Sequence, residues 1–158
     1  MVKRQFEKRN IPEAGEGKRG EKGYLGYLLR QAAATHRARA ETALAPLGVT
    51  LPQFLSLTMI GAYPGLSNAD LARLALLTPQ TVNVIVANLE KSDAIERNPH
   101  PVHGRIRQLS LTPKGRDMLS RARANMHAID REIAADLTPE EEQVIRRWLA
   151  SLALASGD

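Results

Sequence analysis

The chain has 158 residues, 43% of them hydrophobic and 25% charged, which is typical of one globular domain with its own core. It contains no cysteine, so disulfides, thiolate metal sites and thiol-based redox sensing are excluded, and no apolar run approaches the roughly 20 residues that span a bilayer. The net charge is +5 and residues 91–116 contain six basic but only two acidic side chains, a local excess that favours a nucleic-acid partner.

Residues 1–23 predict a basic, flexible arm outside the core. They contain seven Lys and Arg, four Glu and four Gly, with almost nothing apolar after Ile11, so they cannot bury a core by themselves. Such an arm either follows a DNA backbone, which would steepen the salt dependence of binding, or is a solvated tail. The start has basic residues but no apolar signal segment, and we expect a cytoplasmic protein without a membrane partner.

Two helices are predicted in the first part of the remaining chain. From Tyr24 onward Leu and Ala recur at helical spacing to about Gly48, which predicts a long first helix. Thr50 then starts a capping box with Gln53 three residues on, and the second helix ends at the breaker that begins with Tyr63.

A third and a fourth helix form a helix-turn-helix pattern. Ser67 opens the short third helix with an S-x-x-D box, and Thr78 caps the fourth with Pro79 at its first position, where the missing N–H costs nothing. Helical geometry turns one stripe of the fourth helix towards the core, namely Val82, Ile85, Val86 and Leu89. It leaves a nearly uncharged outer face of Gln80, Asn83, Val84, Ala87 and Asn88.

This outer face suits the major groove of DNA. A lysine there would attract every phosphate equally, whereas Asn and Gln amides match the N6 and N7 of adenine, and Val or Ala methyls meet the C5-methyl of thymine. Because the second helix of a helix-turn-helix enters the major groove, we predict that the fourth helix reads bases. A helix packed against another protein would also accept small uncharged side chains, and this alternative stays open.

After Asp93 the pattern changes to that of strands. Two short strands, residues 95–97 and 106–111, are predicted around a turn of Pro, His and Gly. Arginines on or beside this hairpin could enter the narrow minor groove next to the fourth helix, and these are Arg97, Arg105 and Arg107. Helices opened by Thr112 and Thr138 complete a mainly α fold with a small β-hairpin, in the order α-α-α-α-β-β-α-α.

Two stretches carry a family resemblance: "LSNADLARLALLTPQTVNVIVANLEKSDAIER" and "GRIRQLSLTPKG" resemble the winged helix-turn-helix of the MarR family of bacterial transcriptional regulators. The resemblance covers roughly residues 24–152. It implies a single domain over residues 24–158, with the winged helix-turn-helix at about 50–112 and long dimerisation helices at about 24–47 and 113–155. It further implies a homodimeric repressor that binds a pseudo-palindromic operator in double-stranded DNA and is released by a small-molecule effector.

The resemblance also assigns DNA contacts by position. It implies groove contacts from Gln80, Thr81, Asn83 and Val84, phosphate contacts from Ser67, Asn68 and Thr78, and a wing-tip arginine at Arg105. The full predicted DNA-binding set is Ser67, Asn68, Thr78, Gln80, Thr81, Asn83, Val84, Asn88, Lys91, Arg97, Arg105 and Arg107. Three positions depart from the family pattern: His103 replaces an aspartate that orients the wing arginine, Gly104 replaces a second arginine, and Asp93 replaces a glycine, which Asp tolerates in a left-handed turn at some cost.

The predicted effector site involves the first helix. His36 and Arg39 lie on or beside its apolar stripe, where a polar group needs a partner. In the family this helix borders the effector cavity, so we predict that His36, Arg39 and Phe54 bind an aromatic acid or an acyl conjugate. An ion pair within the chain or across the dimer is the alternative role of His36 and Arg39.

No catalytic, cofactor or metal site is predicted, and the chain is not expected to be an enzyme. It has no Ser-His-Asp order, no H-E-x-x-H and no phosphate-cradling glycine loop. His100 and His103 flank an exposed hairpin tip that lacks the further ligands a tetrahedral zinc ion needs. The rival to a DNA-binding regulator is a winged-helix module that binds a protein partner and contacts no DNA.

Overall fold

The computed structural model describes residues 11–99 and 107–154. Its helices are α1 (Leu25–Leu44), α2 (Leu51–Ala62), α3 (Asn68–Leu74), α4 (Pro79–Lys91), α5 (Pro113–Ile133) and α6 (Pro139–Leu154), and the strands β1 (Ile95–Pro99) and β2 (Arg107–Leu111) lie between α4 and α5. The mainly helical fold and the predicted order of elements are therefore confirmed. The chain forms two compact units, divided after Arg39; the predicted domain bounds differ from this division and stay a prediction.

The N-terminal unit contains a 3-10 turn at Gly17–Arg19 and most of α1. The backbone carbonyl of Arg19 accepts a hydrogen bond from Gln31 Nε2 at 3.1 Å. Lys18 Nζ lies 5.0 Å from the centre of the Tyr24 ring, which is a cation–π distance. Residues 17–24 are thus held against α1 by local contacts, while the flexibility predicted for residues 1–23 stays a prediction.

Hydroxyl caps start the helices that follow α1. A side-chain oxygen accepts a hydrogen bond from the backbone N–H three residues on at Thr50, Ser67, Thr78, Thr112 and Thr138. At Thr50, Ser67 and Thr138 the side chain of the third residue in turn accepts a hydrogen bond from the backbone N–H of the cap residue. Each cap contributes about 1 kcal/mol, so these helix starts are set by local sequence, as predicted.

The core of the C-terminal unit lies between α2, α3, α4, β2 and α5. Leu57, Leu71, Val82 and Leu109 are completely buried there. Among the described residues, no single helix is long and apolar enough to cross a membrane, although residues 25–47 and 51–62 together meet that requirement as a bent pair. Core helices pass the same test, and α2 buries Phe54, Leu57 and Ile60 in this core.

The β-hairpin is antiparallel, with Ile95 opposite Leu111 and Pro99 opposite Arg107. The first strand is two residues longer than predicted, because Asn98 and Pro99 also pair with the second strand. Proline is tolerated here because β1 is an edge strand of a two-stranded sheet. Residue 106, predicted to start the second strand, lies outside the described residues.

A compact junction joins the end of α4, the hairpin and the start of α5. Asp93 follows α4 with a φ of 59°, which confirms the left-handed turn expected at this position. Thr112 Oγ1 donates to the Asp93 carbonyl at 2.6 Å and Thr112 N donates to the Ala94 carbonyl at 3.2 Å. Gly115 N donates in turn to Thr112 Oγ1 at 3.0 Å, so one threonine connects three elements.

Candidate nucleic-acid interface

The outer face of α4 is as uncharged as the sequence predicts. The inward stripe is buried, at exposures of 0% for Val82, 7% for Ile85, 0% for Val86 and 2% for Leu89. The outward side chains are all exposed, and they are Gln80, Asn83, Val84, Ala87 and Asn88. The division of α4 into a core face and a solvent face is therefore confirmed.

The turn between α3 and α4 contains a leucine in a strained backbone conformation. Leu76 has a φ of 55°, in the left-handed region that favours glycine. This residue lets Leu77 N donate to the Ala72 carbonyl at 3.0 Å, which closes α3 as a left-handed helix terminus commonly does. The turn therefore ends α3 and leads the chain into the Thr78 cap that starts α4.

Replacing Leu76 by glycine should not destabilise the protein. Leu76 is 91% exposed, so little packing is lost, and removing the left-handed strain offsets the greater entropy of the unfolded chain. We expect Leu76→Gly to change the free energy of unfolding by between 0 and about +1 kcal/mol in urea denaturation. Leu77→Gly is the matched control, because Leu77 packs against the core, and it should be clearly less stable. Equal losses in both variants would contradict this account.

Asn68 and Asn83 join the two helices of the helix-turn-helix. Asn68 Nδ2 donates to Asn83 Oδ1 at 2.8 Å. Asn68 is half-buried at the start of α3, whereas Asn83 lies on the exposed face of α4. Both residues were predicted to contact DNA, but the contact between them was not predicted.

Two predicted phosphate contacts, Ser67 and Thr78, are also helix caps. Ser67 Oγ donates to Asp70 Oδ2 at 2.6 Å and accepts from Asp70 N at 3.2 Å. Thr78 Oγ1 accepts from Thr81 N at 3.1 Å and lies 2.8 Å from Thr81 Oγ1. The Ser67 hydroxyl proton is thus already donated within the chain, which leaves the oxygen of Ser67 without a donor for a phosphate.

The Asp70 carboxylate should make the free energy of unfolding depend on pH in the acid range. Hydrogen bonds from the Ser67 side chain, then from the Ser67 backbone and from Arg73, lower the pKa of Asp70 below its usual value. A lowered folded-state pKa gives stability that is present above the unfolded pKa of about 3.9 and is lost as the pH falls through the folded pKa. We expect Asp70→Asn to be less stable than the wild type at pH 7 and the difference to shrink below pH 4, measured by urea denaturation. A pH-independent difference would contradict the assignment.

The hairpin arginines differ in what they contact. Arg97 Nη2 lies 2.8 Å from Glu90 Oε2, and both side chains are about one-third exposed, at 34% and 33%. This ion pair joins β1 to the end of α4 and competes with any phosphate for Arg97. Arg107 is exposed at the start of β2. The other residues predicted for the hairpin tip, His100, His103, Gly104 and Arg105, lie outside the described residues.

Comparison with known proteins identifies the family. Residues 47–106 match a family model described as MarR family. The HTH-type transcriptional repressor Rv2887 of Mycobacterium tuberculosis is 41% identical over 128 residues, which are 81% of this chain and 92% of that protein. The chain belongs to the MarR family of transcriptional regulators.

Solved structures agree with this MarR assignment. The crystal structure of the M. tuberculosis MarR family protein Rv2887 in complex with DNA is 39% identical, with a TM-score of 0.66 over 82% of this chain and 97% of that chain. Its complex with p-aminosalicylic acid is 38% identical, with a TM-score of 0.68 over 82% of this chain and 98% of that chain. The winged helix-turn-helix fold predicted from the resemblance is thereby confirmed.

The last helix of this MarR-family chain has an apolar face that no described residue of the chain buries. No residue of α6 is buried. Large apolar side chains with exposures between 39% and 54% lie along one face of α6, and they are Val144, Ile145, Trp148, Leu149 and Leu152. A 16-residue helix without a buried residue is marginally stable in water. Its apolar face would therefore be stabilised by contact with another surface.

A basic cleft of about 570 Å³ lies between α2, the end of β2 and α5 of the MarR-family chain. Its apolar lining comes from Gly61, Leu111, Leu119 and Ala124, and its polar lining from Arg116, Ser120, Arg123 and His127. Arg116 Nη1 donates to the Leu111 carbonyl at 2.7 Å, which fixes this guanidinium at the base of the hairpin. The cleft therefore offers cationic groups beside apolar walls.

These cleft residues were missed by sequence reasoning, although a signal existed. Arg116, Ser120, Arg123 and His127 are spaced four, three and four residues apart, which is a polar stripe on one face of a helix. The apolar stripe of the first helix indicated His36 and Arg39 instead. Those two lie on α1, while Phe54 is a core residue with 9% exposure; an effector site formed by the three stays a prediction.

Proposed function

We propose that this MarR-family protein is a homodimeric transcriptional repressor that inserts α4 into the major groove of a pseudo-palindromic operator. The observation that carries the proposal is the exposed, uncharged outer face of α4, because neutral amides and methyl groups discriminate bases where lysines would not. The relative Rv2887 was crystallised with DNA. Since DNA is the proposed partner of a bacterial regulator, we place its site of action in the cytoplasm.

The proposed DNA contacts divide into two groups. Gln80, Asn83, Val84 and Asn88 on the outer face of α4 would contact base edges, whereas Asn68, Lys91 and the hairpin arginines Arg105 and Arg107 would contact the backbone or the minor groove. Thr78 would act mainly as the N-cap of α4, and Thr81 would donate its backbone N–H to that cap. The positive end of the α4 dipole would then face a phosphate.

The proposed homodimer explains the apolar face of α6. A second copy of the chain would cover the side chains that α6 leaves exposed, and a two-fold interface buries the same patch twice. A symmetric dimer also presents two α4 helices to half-sites about one DNA turn apart, roughly 34–36 Å. The inverted repeat in the operator follows from this symmetry.

The test of DNA recognition is selection of bound duplexes from a random pool by the purified protein at near-physiological salt. We expect enrichment of an inverted repeat whose half-site centres lie about one turn apart. Weak, salt-sensitive binding without any enriched sequence would contradict the proposal and favour a protein partner for the winged-helix surface.

We further propose that the effector is an aromatic carboxylate that binds in the cleft of Arg116, Arg123 and His127. The guanidinium groups would pair with the carboxylate, and Leu111, Leu119 and Gly61 would contact the ring. The cleft adjoins the base of the hairpin through Leu111, so a bound ligand would bias the position of the wing. The relative Rv2887 was crystallised with p-aminosalicylic acid, a compound of this class.

Salicylate is a suitable probe for the cleft. A ligand at 100 times its dissociation constant adds about 2.7 kcal/mol of stability, which raises the melting temperature of a chain of this length by roughly 5–10 °C. Arg123→Ala should lose most of that shift. The matched control is Arg121→Ala, because Arg121 lies on the same helix but pairs with Asp117 at 3.1 Å and should keep it. Equal shifts in the two variants would place the ligand elsewhere.

A further inference from the structure

The hydrogen bond between Asn68 and Asn83 determines more than the distance between two helices. The two amides meet with Asn68 as donor and Asn83 Oδ1 as acceptor, 2.8 Å apart. The carboxamide of Asn is planar, with its oxygen and its NH₂ group on opposite edges. When Oδ1 of Asn83 is turned towards Asn68, its Nδ2 is turned the other way, towards the exposed side of α4.

The backbone on both sides of this contact is held in place. The capping box of Ser67 and Asp70 fixes the first turn of α3, and the Thr78 cap fixes the first turn of α4. Val82 and Ile85, which flank Asn83 closely in sequence, are buried in the core. The backbone of Asn83 is therefore held in place, and Asn68 is the side chain that contacts its amide.

The exposed edge of Asn83 consequently carries donors. Within the described part of the chain, Asn83 Nδ2 has no hydrogen-bond partner, and its N–H groups are available to acceptors in the major groove. Guanine presents the acceptors O6 and N7 there, adenine presents N7 and thymine presents O4, whereas cytosine presents only the N4 donor. An amide in the opposite orientation would present Oδ1, which accepts from adenine N6 or cytosine N4 but from neither guanine nor thymine.

We propose that Asn68 is a specificity-determining positioning residue. By accepting the hydrogen bond of Asn68, Asn83 turns Nδ2 to the groove and discriminates against cytosine at one position of each half-site, because cytosine has no acceptor there. This inference rests on the proposed insertion of α4 into the major groove. It modifies the adenine match expected from residue type, because residue type does not state which edge of an amide faces the base. Asn68 acts on base choice through Asn83, in addition to the backbone contact proposed for it, since its amide has two N–H donors.

Asn68→Asp reverses the polarity of the pair. A carboxylate has no proton to donate and accepts one from Asn83 Nδ2, so the amide of Asn83 turns over and presents Oδ1. An acidic residue in the first turn of α3 is compatible with the helix dipole, and the fold is expected to persist, which circular dichroism checks. Ala69→Asp is the matched control, since it adds the same charge one residue further along α3.

The experiment is sequence selection from a random duplex pool with wild type, Asn68→Asp, Ala69→Asp and the double variant Asn68→Asp with Asn83→Ala. We expect Asn68→Asp to lower the ratio of guanine plus thymine to cytosine at one position per half-site by about 5- to 10-fold, the discrimination of one hydrogen bond to a base edge, while adenine is tolerated by both orientations. Ala69→Asp should lower overall affinity without this change, and the double variant should show no preference at that position.

The outcomes separate this inference from the proposed function. An inverted repeat enriched by the wild type, together with unaltered base preferences in Asn68→Asp, would overturn the role of Asn68 and leave the regulator intact. A wild type that enriches no sequence would instead remove the proposed base readout and the inference with it. A preference that persists in the double variant would assign the position to a residue other than Asn83.

Discussion

Gly115→Ala is expected to destabilise the protein by more than about 3 kcal/mol. A Cβ atom on Gly115 would lie 1.9 Å from the backbone oxygen of Ala94 and 2.9 Å from its carbonyl carbon. The Ala94 carbonyl cannot move aside easily, because it accepts the N–H of Thr112. Relief of the clash would therefore separate α5 from the end of α4 and from the hairpin.

Gly26→Ala provides the control for this substitution. Gly26 lies within α1 and nothing is within 4 Å of an added Cβ, so alanine should raise the free energy of unfolding by about 0.5–1 kcal/mol through its higher helix propensity. The measurement is urea denaturation followed by circular dichroism. A Gly115→Ala protein that unfolds at the same urea concentration as the wild type would show that the junction is not closely packed in solution.

Leu149→Glu is expected to convert the protein to a monomer and to weaken operator binding at least about 100-fold, because two linked half-site contacts become one. Leu149 lies in the apolar face of α6 with 44% of its surface exposed in the single chain. Burial of an unpaired carboxylate in the proposed interface would be costly, and a two-fold interface contains the substitution twice.

Gln143→Glu is the matched variant for the dimer. Gln143 is exposed and, by helical geometry, lies about 120° around α6 from Leu149 and opposite the middle of the apolar face, so the same charge there should leave the dimer and its operator affinity unchanged. Sedimentation equilibrium measures the oligomeric state, and a fluorescence-anisotropy titration with the selected operator measures affinity. A Leu149→Glu protein that remains dimeric would contradict the role proposed for α6.

Sequence patterns predicted the helices, their starts and the two faces of α4 because these features depend on neighbours in the chain. The Thr50 and Ser67 boxes span three residues, and the buried stripe of α4 follows from the helical repeat alone. Family resemblance added the winged helix-turn-helix, which the comparisons confirm. The predicted roles of the individual DNA and effector residues stay predictions.

Contacts between distant segments were decided only by the tertiary structure. Asn68 and Asn83 meet across the helix-turn-helix turn, Arg97 pairs with Glu90 rather than standing alone on the hairpin, and Gly115 packs directly on the Ala94 carbonyl. The basic cleft likewise needs α2, β2 and α5 together. A local pattern states which side of a helix is apolar, but it contains no distance between elements, and those distances determine which amides, guanidinium groups and glycines meet a partner.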